Sequence, residues 1–164
     1  MSKVITFSRF YPKYHPKAGQ PTHFIEQIFA SIFKDEPSKF FDAKLGNIWL
    51  DPFITGVKNH TIRGGNRFKV GDKFSPRVWS GNPYNSKQII IAPDIEVKKI
   101  WTFEISATTG EYAIDGMLYK LNDLKEVSKN DGFNDVDDFE LWFNVKQGEG
   151  FKGQIICWND KIEY

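Results

Sequence analysis

Cysteine is nearly absent. Cys157 is the only one, which excludes an internal disulfide and a thiolate zinc cluster. Histidine is scarce as well: His15, His23 and His60 do not fall at metal-ligand spacing, so neither a structural metal nor a cofactor is expected. No stretch approaches the roughly 18–20 uninterrupted apolar residues of a membrane span. The opening Met1-Ser2-Lys3-Val4-Ile5-Thr6-Phe7 lacks a long apolar core and a small-residue cleavage site, which predicts a cytoplasmic protein without a membrane partner. A large excess of one charge is missing too. With 22 Lys and Arg against 21 Asp and Glu, the chain is not built for long-range coating of a duplex. Internal repeats and low-complexity linkers are lacking, so 1–164 reads as one domain.

Rings are what the chain has in quantity. It carries 15 Phe and five Trp, enough to fill a core with few side chains. Its charge is also unevenly distributed. Residues 1–21 carry Lys3, Arg9, Lys13 and Lys17 and no acid, and residues 56–87 carry seven bases against Asp72 alone. Residues 121–149 reverse this, with eight acids against three lysines. A basic front and an acidic back suit a local anionic ligand, although ordinary solvated faces give the same pattern.

Val4 to Phe7 alternates weakly and predicts a first strand. The Pro- and Gly-rich run from Tyr11 to Pro21 precludes regular structure. Thr22 is a candidate N-cap for a helix whose apolar stripe is Phe24, Ile25, Ile28, Phe29, Ile32 and Phe33. From Gly71 the period changes to two. Strands are predicted over Lys73–Trp79, Gln88–Ile91, Val97–Ser106, Tyr112–Tyr119 and Gln154–Trp158. Between the last two, Asn122 or Asp123 is expected to cap a short helix ended by Gly132, and Asn134 a second with Val136, Phe139 and Phe143 inward. The result is an α+β chain, and the strand spacing suggests a small, mostly antiparallel barrel flanked by helices.

The segment with chemical content is Lys58-Asn59-His60-Thr61-Ile62-Arg63-Gly64-Gly65. In a helical turn or tight loop Lys58 and Thr61, three apart, would share a side. Arg63 offers a planar fork for a carboxylate, phosphate or base edge, and Gly64-Gly65 allows close backbone approach. A solvated basic loop fits the same residues. Arg9 and His15 could reach a ligand or simply lie on the surface. Trp79 and Tyr84 flank the Ser80–Pro83 turn, where they could stack a base or pack against the rim. His60, adjacent to Thr61, is tempting as a base, but its side chain is expected on the opposite side. Cys157 reads as a buried strand thiol.

Lys58-x-x-Thr61-Ile62-Arg63, then Val70-Gly71-Asp72, then Asp131-Gly132-Phe133 with Phe139 and Phe143 following, resembles the ASCH domain family of the PUA-like superfamily. The likeness runs over residues 53–158, with 1–50 as an N-terminal elaboration. It implies a PUA-like β-barrel with a cleft for RNA or a modified nucleoside. Candidate ligand contacts, read from the residues themselves, are Arg63, Gly64, Gly65, Arg9, Trp79 and Tyr84. Some small members are amidohydrolases that deacetylate N(4)-acetylcytidine, and by that likeness Lys58 would be the base, Thr61 the nucleophile and Asp131 the acid. The family's acid is a glutamate, whereas Asp131 is one methylene shorter, a retraction of more than ~1 Å that ranks binding ahead of hydrolysis.

Overall fold

The computed structural model describes residues 2–146 and 148–164. Its strands are β1 (Lys3–Thr6), β2 (His60–Gly64), β3 (Lys73–Trp79), β4 (Gln88–Ile90), β5 (Ile95–Glu96), β6 (Lys99–Ile105), β7 (Tyr112–Ile114), β8 (Met117–Tyr119) and β9 (Phe151–Cys157). The helices are α1 (Phe24–Ile32), α2 (Ser38–Asp42), α3 (Lys125–Asn130) and α4 (Val136–Phe143). One sheet runs β1-β3-β4, with β5 also on β3, and the other runs β2-β9-β6-β7-β8. Only the β1–β3 pair is parallel. The α+β, mostly antiparallel class is therefore as expected. Both sheets are open paths among the described residues.

Side-chain alternation explains which faces are covered. In β6, Trp101, Phe103 and Ile105 are buried, while Thr102 and Glu104 between them are exposed. In β9 both faces are buried: Ile156 enters a core shared with β1 and β3, and Ile155 and Cys157 enter a second core with α3 and α4. That is why Ile155-Ile156-Cys157 reads as an uninterrupted apolar run. Helix α1 spans the two cores, giving Ile25, Ile28 and Phe29 to the first and Phe24 to the second. Residues 1–50 thus supply β1 and α1, both integral to the packing.

Several boundaries differ from expectation for local reasons. The predicted strand over 97–106 is found as Lys99–Ile105 in the second sheet, and just ahead of it the unpredicted Ile95–Glu96 pairs with Lys73-Phe74 in the first. The predicted strand over 112–119 is a hairpin. Asp115 and Gly116, at φ 47° and 79°, form its two-residue turn, and Asp-Gly is the preferred pair for positive φ at both sites. His23 (φ 60°), not Thr22, is the N-cap of α1, while Thr22 Oγ1 accepts from the Phe24 amide at 3.4 Å and donates to the Ser8 carbonyl at 2.7 Å. Asp135, one residue past Asn134, caps α4 by accepting from the Asp137 amide at 2.9 Å. Gly132 (φ 93°) ends the α3 segment as expected.

Candidate functional site

The Lys58 segment is extended rather than helical. Lys58 makes an isolated antiparallel bridge to Asp131, and β2 begins two residues later. Three backbone bonds fasten this entry: Lys58 N–H to the Gln27 carbonyl at 3.1 Å, Asn59 N–H to the Asn130 carbonyl at 2.7 Å, and Trp158 N–H to the Asn59 carbonyl at 3.1 Å. Helix α1, the end of α3 and the exit of β9 therefore meet at residues 58–59.

Their meeting buries an ion pair. Lys58 and Asp131 are 2% and 4% exposed, and Lys58 Nζ donates to Asp131 Oδ1 at 2.8 Å and also to the Asp131 carbonyl. The ammonium lies 4.2 Å from the centre of the Phe24 ring and 5.9 Å from that of Phe7, where ring quadrupoles favour a cation. Burial pulls the Lys58 pKa below its ordinary value, although Asp131 pulls it back. Burial pushes the Asp131 carboxyl up, but the charge of Lys58 and the nearby His60 ring outweigh it and hold the group below its ordinary range.

His60 is the second neighbour of that carboxylate. It is fully buried, with Nδ1 3.6 Å from Asp131 Oδ1 and Nε2 2.7 Å from the Tyr164 hydroxyl. Burial lowers its pKa. Period two explains the arrangement, because Lys58 and His60, two apart in extended chain, face Asp131 together. Thr61 shares the opposite face of β2 with Arg63 and is opposite Ile156 in register. It is 4% exposed, and the hydrogen bonds of the Lys58–Asp131 pair do not include it. Lys58 and Thr61 do not share a helical turn as the three-residue spacing suggests.

The other predicted contacts fall into two places. Arg63 donates from Nη2 to the Thr6 carbonyl at 2.7 Å and lies over the Phe7 ring, so it ties β2 to β1. Its neighbours in charge are Asp131 and Tyr84. Tyr84 is exposed and packs on Trp79 with ring centres 5.3 Å apart, and Arg9 donates to the adjoining Ser80 carbonyl at 3.2 Å. Arg9, Trp79 and Tyr84 thus form one rim. Gly64 and Gly65 lie at the far end of β2, where His60 to Gly64 alone spans about 13 Å. Gly64 pairs with Gly153, and a Cβ on Gly153 would sit 2.2 Å from the Arg63 carbonyl, so these glycines permit close strand approach.

Two cavities flank the ion pair. One of about 250 Å³ is lined by Arg9, Phe10, Phe24, Glu26 and Trp49 among others, and the Phe24 ring partitions it from Lys58. The other, about 290 Å³, reaches Gly132, Gln27, Asn134 and Asp138. Sequence reasoning missed Phe24, Trp49, Asn59, Asn130 and Tyr164 as participants. Only Asn59 and Asn130 carried a signal, each preceding or following a charged motif residue. No helix among the described residues is long and apolar enough to cross a membrane. Comparison of the chain with protein-family models, with curated proteins and with solved structures gives no match.

Proposed function

We propose that this is an ASCH-type domain that binds RNA or a modified nucleoside beside residues 58–63. On this reading the two open sheets correspond to the halves of a PUA-like barrel. The observation that carries it is the buried Lys58–Asp131 pair. The resemblance links two residues 73 positions apart in the chain, and they meet as a 2.8 Å contact shielded by aromatic rings. A buried ion pair adds little net stability, so its presence suits a site better than a scaffold. Arg63 and Arg9 supply positive charge to the rim, and Trp79, Tyr84 and the exposed Trp49 supply stacking surfaces.

Hydrolysis of an N(4)-acetylcytidine-like amide is the second reading. It is favoured by the lowered pKa of Lys58, the direction a base requires. Against it, the Asp131 carboxylate in contact opposes that lowering, and Thr61 lies on the other face of β2 from His60. The test is incubation of the protein, Lys58→Met and Arg63→Ala with N(4)-acetylcytidine and with short RNAs, following both product and binding. Binding without turnover, weakened by Arg63→Ala and by salt, supports the leading reading. Turnover abolished by Lys58→Met replaces it with the second, and no interaction with either probe ends both.

A further inference from the structure

The side chains behind the ion pair form a hydrogen-bond chain whose direction is fixed as far as Asn130 Nδ2. The Lys161 amide donates to Asn159 Oδ1 at 3.0 Å. That fixes the Asn159 amide, so its Nδ2 is the atom that donates to Asn59 Oδ1 at 3.2 Å. The Trp158 indole, which can only donate, gives its proton to Ser31 Oγ at 3.0 Å, leaving the serine hydroxyl to donate to the same Asn59 Oδ1 at 2.8 Å. Two independent anchors therefore make Asn59 Oδ1 an oxygen and aim its Nδ2 at Asn130 Oδ1, 2.9 Å away. Asn130 Nδ2 then donates to the Tyr164 hydroxyl at 3.1 Å. Having accepted one proton, Tyr164 has its own to give, and the atom 2.7 Å away is His60 Nε2.

His60 Nε2 is thus an acceptor, which leaves the ring proton on Nδ1. That nitrogen has no hydrogen-bond partner and faces Asp131 Oδ1 at 3.6 Å. The opposite tautomer would strand the Tyr164 proton and point a lone pair at a carboxylate. A histidinium would strand the same proton and place a third cation beside Lys58 and Arg63, which burial also opposes. Both close contacts of the carboxylate, from Lys58 and from His60, are to Oδ1, so Oδ2 is the oxygen left for a donor from outside.

We infer that His60 is a positioning residue: a neutral imidazole held as the Nδ1–H tautomer by Tyr164, aligning Asp131 so that Oδ2 is presented to a hydrogen-bond donor of the ligand, such as an amino or imide N–H. The ligand clause rests on the proposed function, whereas the tautomer does not. The experiment is ¹⁵N NMR of the histidine ring nitrogens in the wild type and in Tyr164→Phe, without ligand. In the wild type His60 shows a protonated Nδ1 and a bare Nε2. In Tyr164→Phe, at an otherwise unchanged amide spectrum, the bare Nε2 resonance moves toward that of a nitrogen receiving no hydrogen bond, while Asp131 keeps the proton on Nδ1. A wild-type Nε2–H ring or a histidinium near neutral pH overturns the inference, and so does an unmoved Nε2 resonance in a folded Tyr164→Phe. If Tyr164→Phe does not fold, the wild-type spectrum alone decides. Titration of the ¹⁵N-labelled wild type with cytidine then tests the ligand clause through the Asp131 and His60 signals. Silence there with the Nδ1–H tautomer intact counts against the nucleoside reading and not against the hydrogen-bond chain.

Discussion

Asp131→Asn keeps the shape of the side chain and removes its charge, leaving the Lys58 ammonium buried without a counter-ion. Side-chain exposures of 2% for Lys58 and 5% for Asp131 leave little room for water to compensate. Breaking one partner of such a pair costs about 3–5 kcal/mol. The charge part has a ceiling, because Lys58 can shed its proton. From an unfolded value near 10.4, that costs about 4.6 kcal/mol at pH 7 and about 1.9 kcal/mol at pH 9. The loss is therefore expected at about 3–4.6 kcal/mol at pH 7, shrinking to about 2 kcal/mol at pH 9. At about 2–4 °C per kcal/mol for a chain of this size, Tm falls by roughly 6–18 °C at neutral pH. Urea denaturation at both pH values reads this directly, with m unchanged if only stability moves. The double variant Lys58→Met/Asp131→Leu is the control, since replacing both charges by apolar groups should restore most of the loss. A loss below about 1 kcal/mol at pH 7, or one that is equal at both pH values, would show that water reaches the pair and would refute the closed site.

The same pair sets a pH signature. Because the folded Lys58 pKa is lowered, the unfolded chain holds the extra proton between that value and roughly 10.4, so its contribution to stability rises with pH there. For Asp131, held below its ordinary range, the contribution is complete above about 3.9 and is lost as pH falls through the folded value. The stability difference between wild type and Lys58→Met should thus slope upward in the alkaline range, and a flat difference curve contradicts the assigned direction. Gly153→Ala should cost about 2 kcal/mol or more, since its Cβ would meet the Arg63 carbonyl at 2.2 Å and force β2 from β9. An unaltered urea midpoint refutes this. Burial pushes the Cys157 thiol up to about 11. A thiol reagent at pH 8 is therefore expected to label it only as fast as the chain opens, and immediate labelling of the folded protein argues against that burial.

Period was legible in the sequence, and place was not. The Phe24–Phe33 stripe marks α1 because its apolar residues recur at helical period, and Lys73–Trp79 marks β3 although three successive residues of that strand, Phe74 to Pro76, are buried. Tyr112–Tyr119 reads as one strand by its apolar residues, whereas Asp115-Gly116 is the local instruction that makes it a hairpin. Lys58 and Asp131 could be named in advance through the family likeness, yet their contact depends on β9, α1 and the end of α3 converging. No window of sequence contains that. Thr61 shows the limit most clearly. Three-residue spacing puts it beside Lys58 on a helix and away from His60 on a strand, and long-range pairing with Ile156 selects the strand. The place of His60 is not legible locally, because its partner Tyr164 lies 104 residues away.

The bridge between Lys58 and Asp131 also bears on how the chain can fold during synthesis. Lys58 leaves the ribosome long before its counter-ion, and β2 emerges well ahead of β9, its antiparallel partner. Until residues 131 and 151–157 are available, the ammonium has no buried partner and β2 has no strand beside it. This segment, buried in the finished fold, must therefore wait in water, with the unpaired edge of β2 open to chaperones or to other chains.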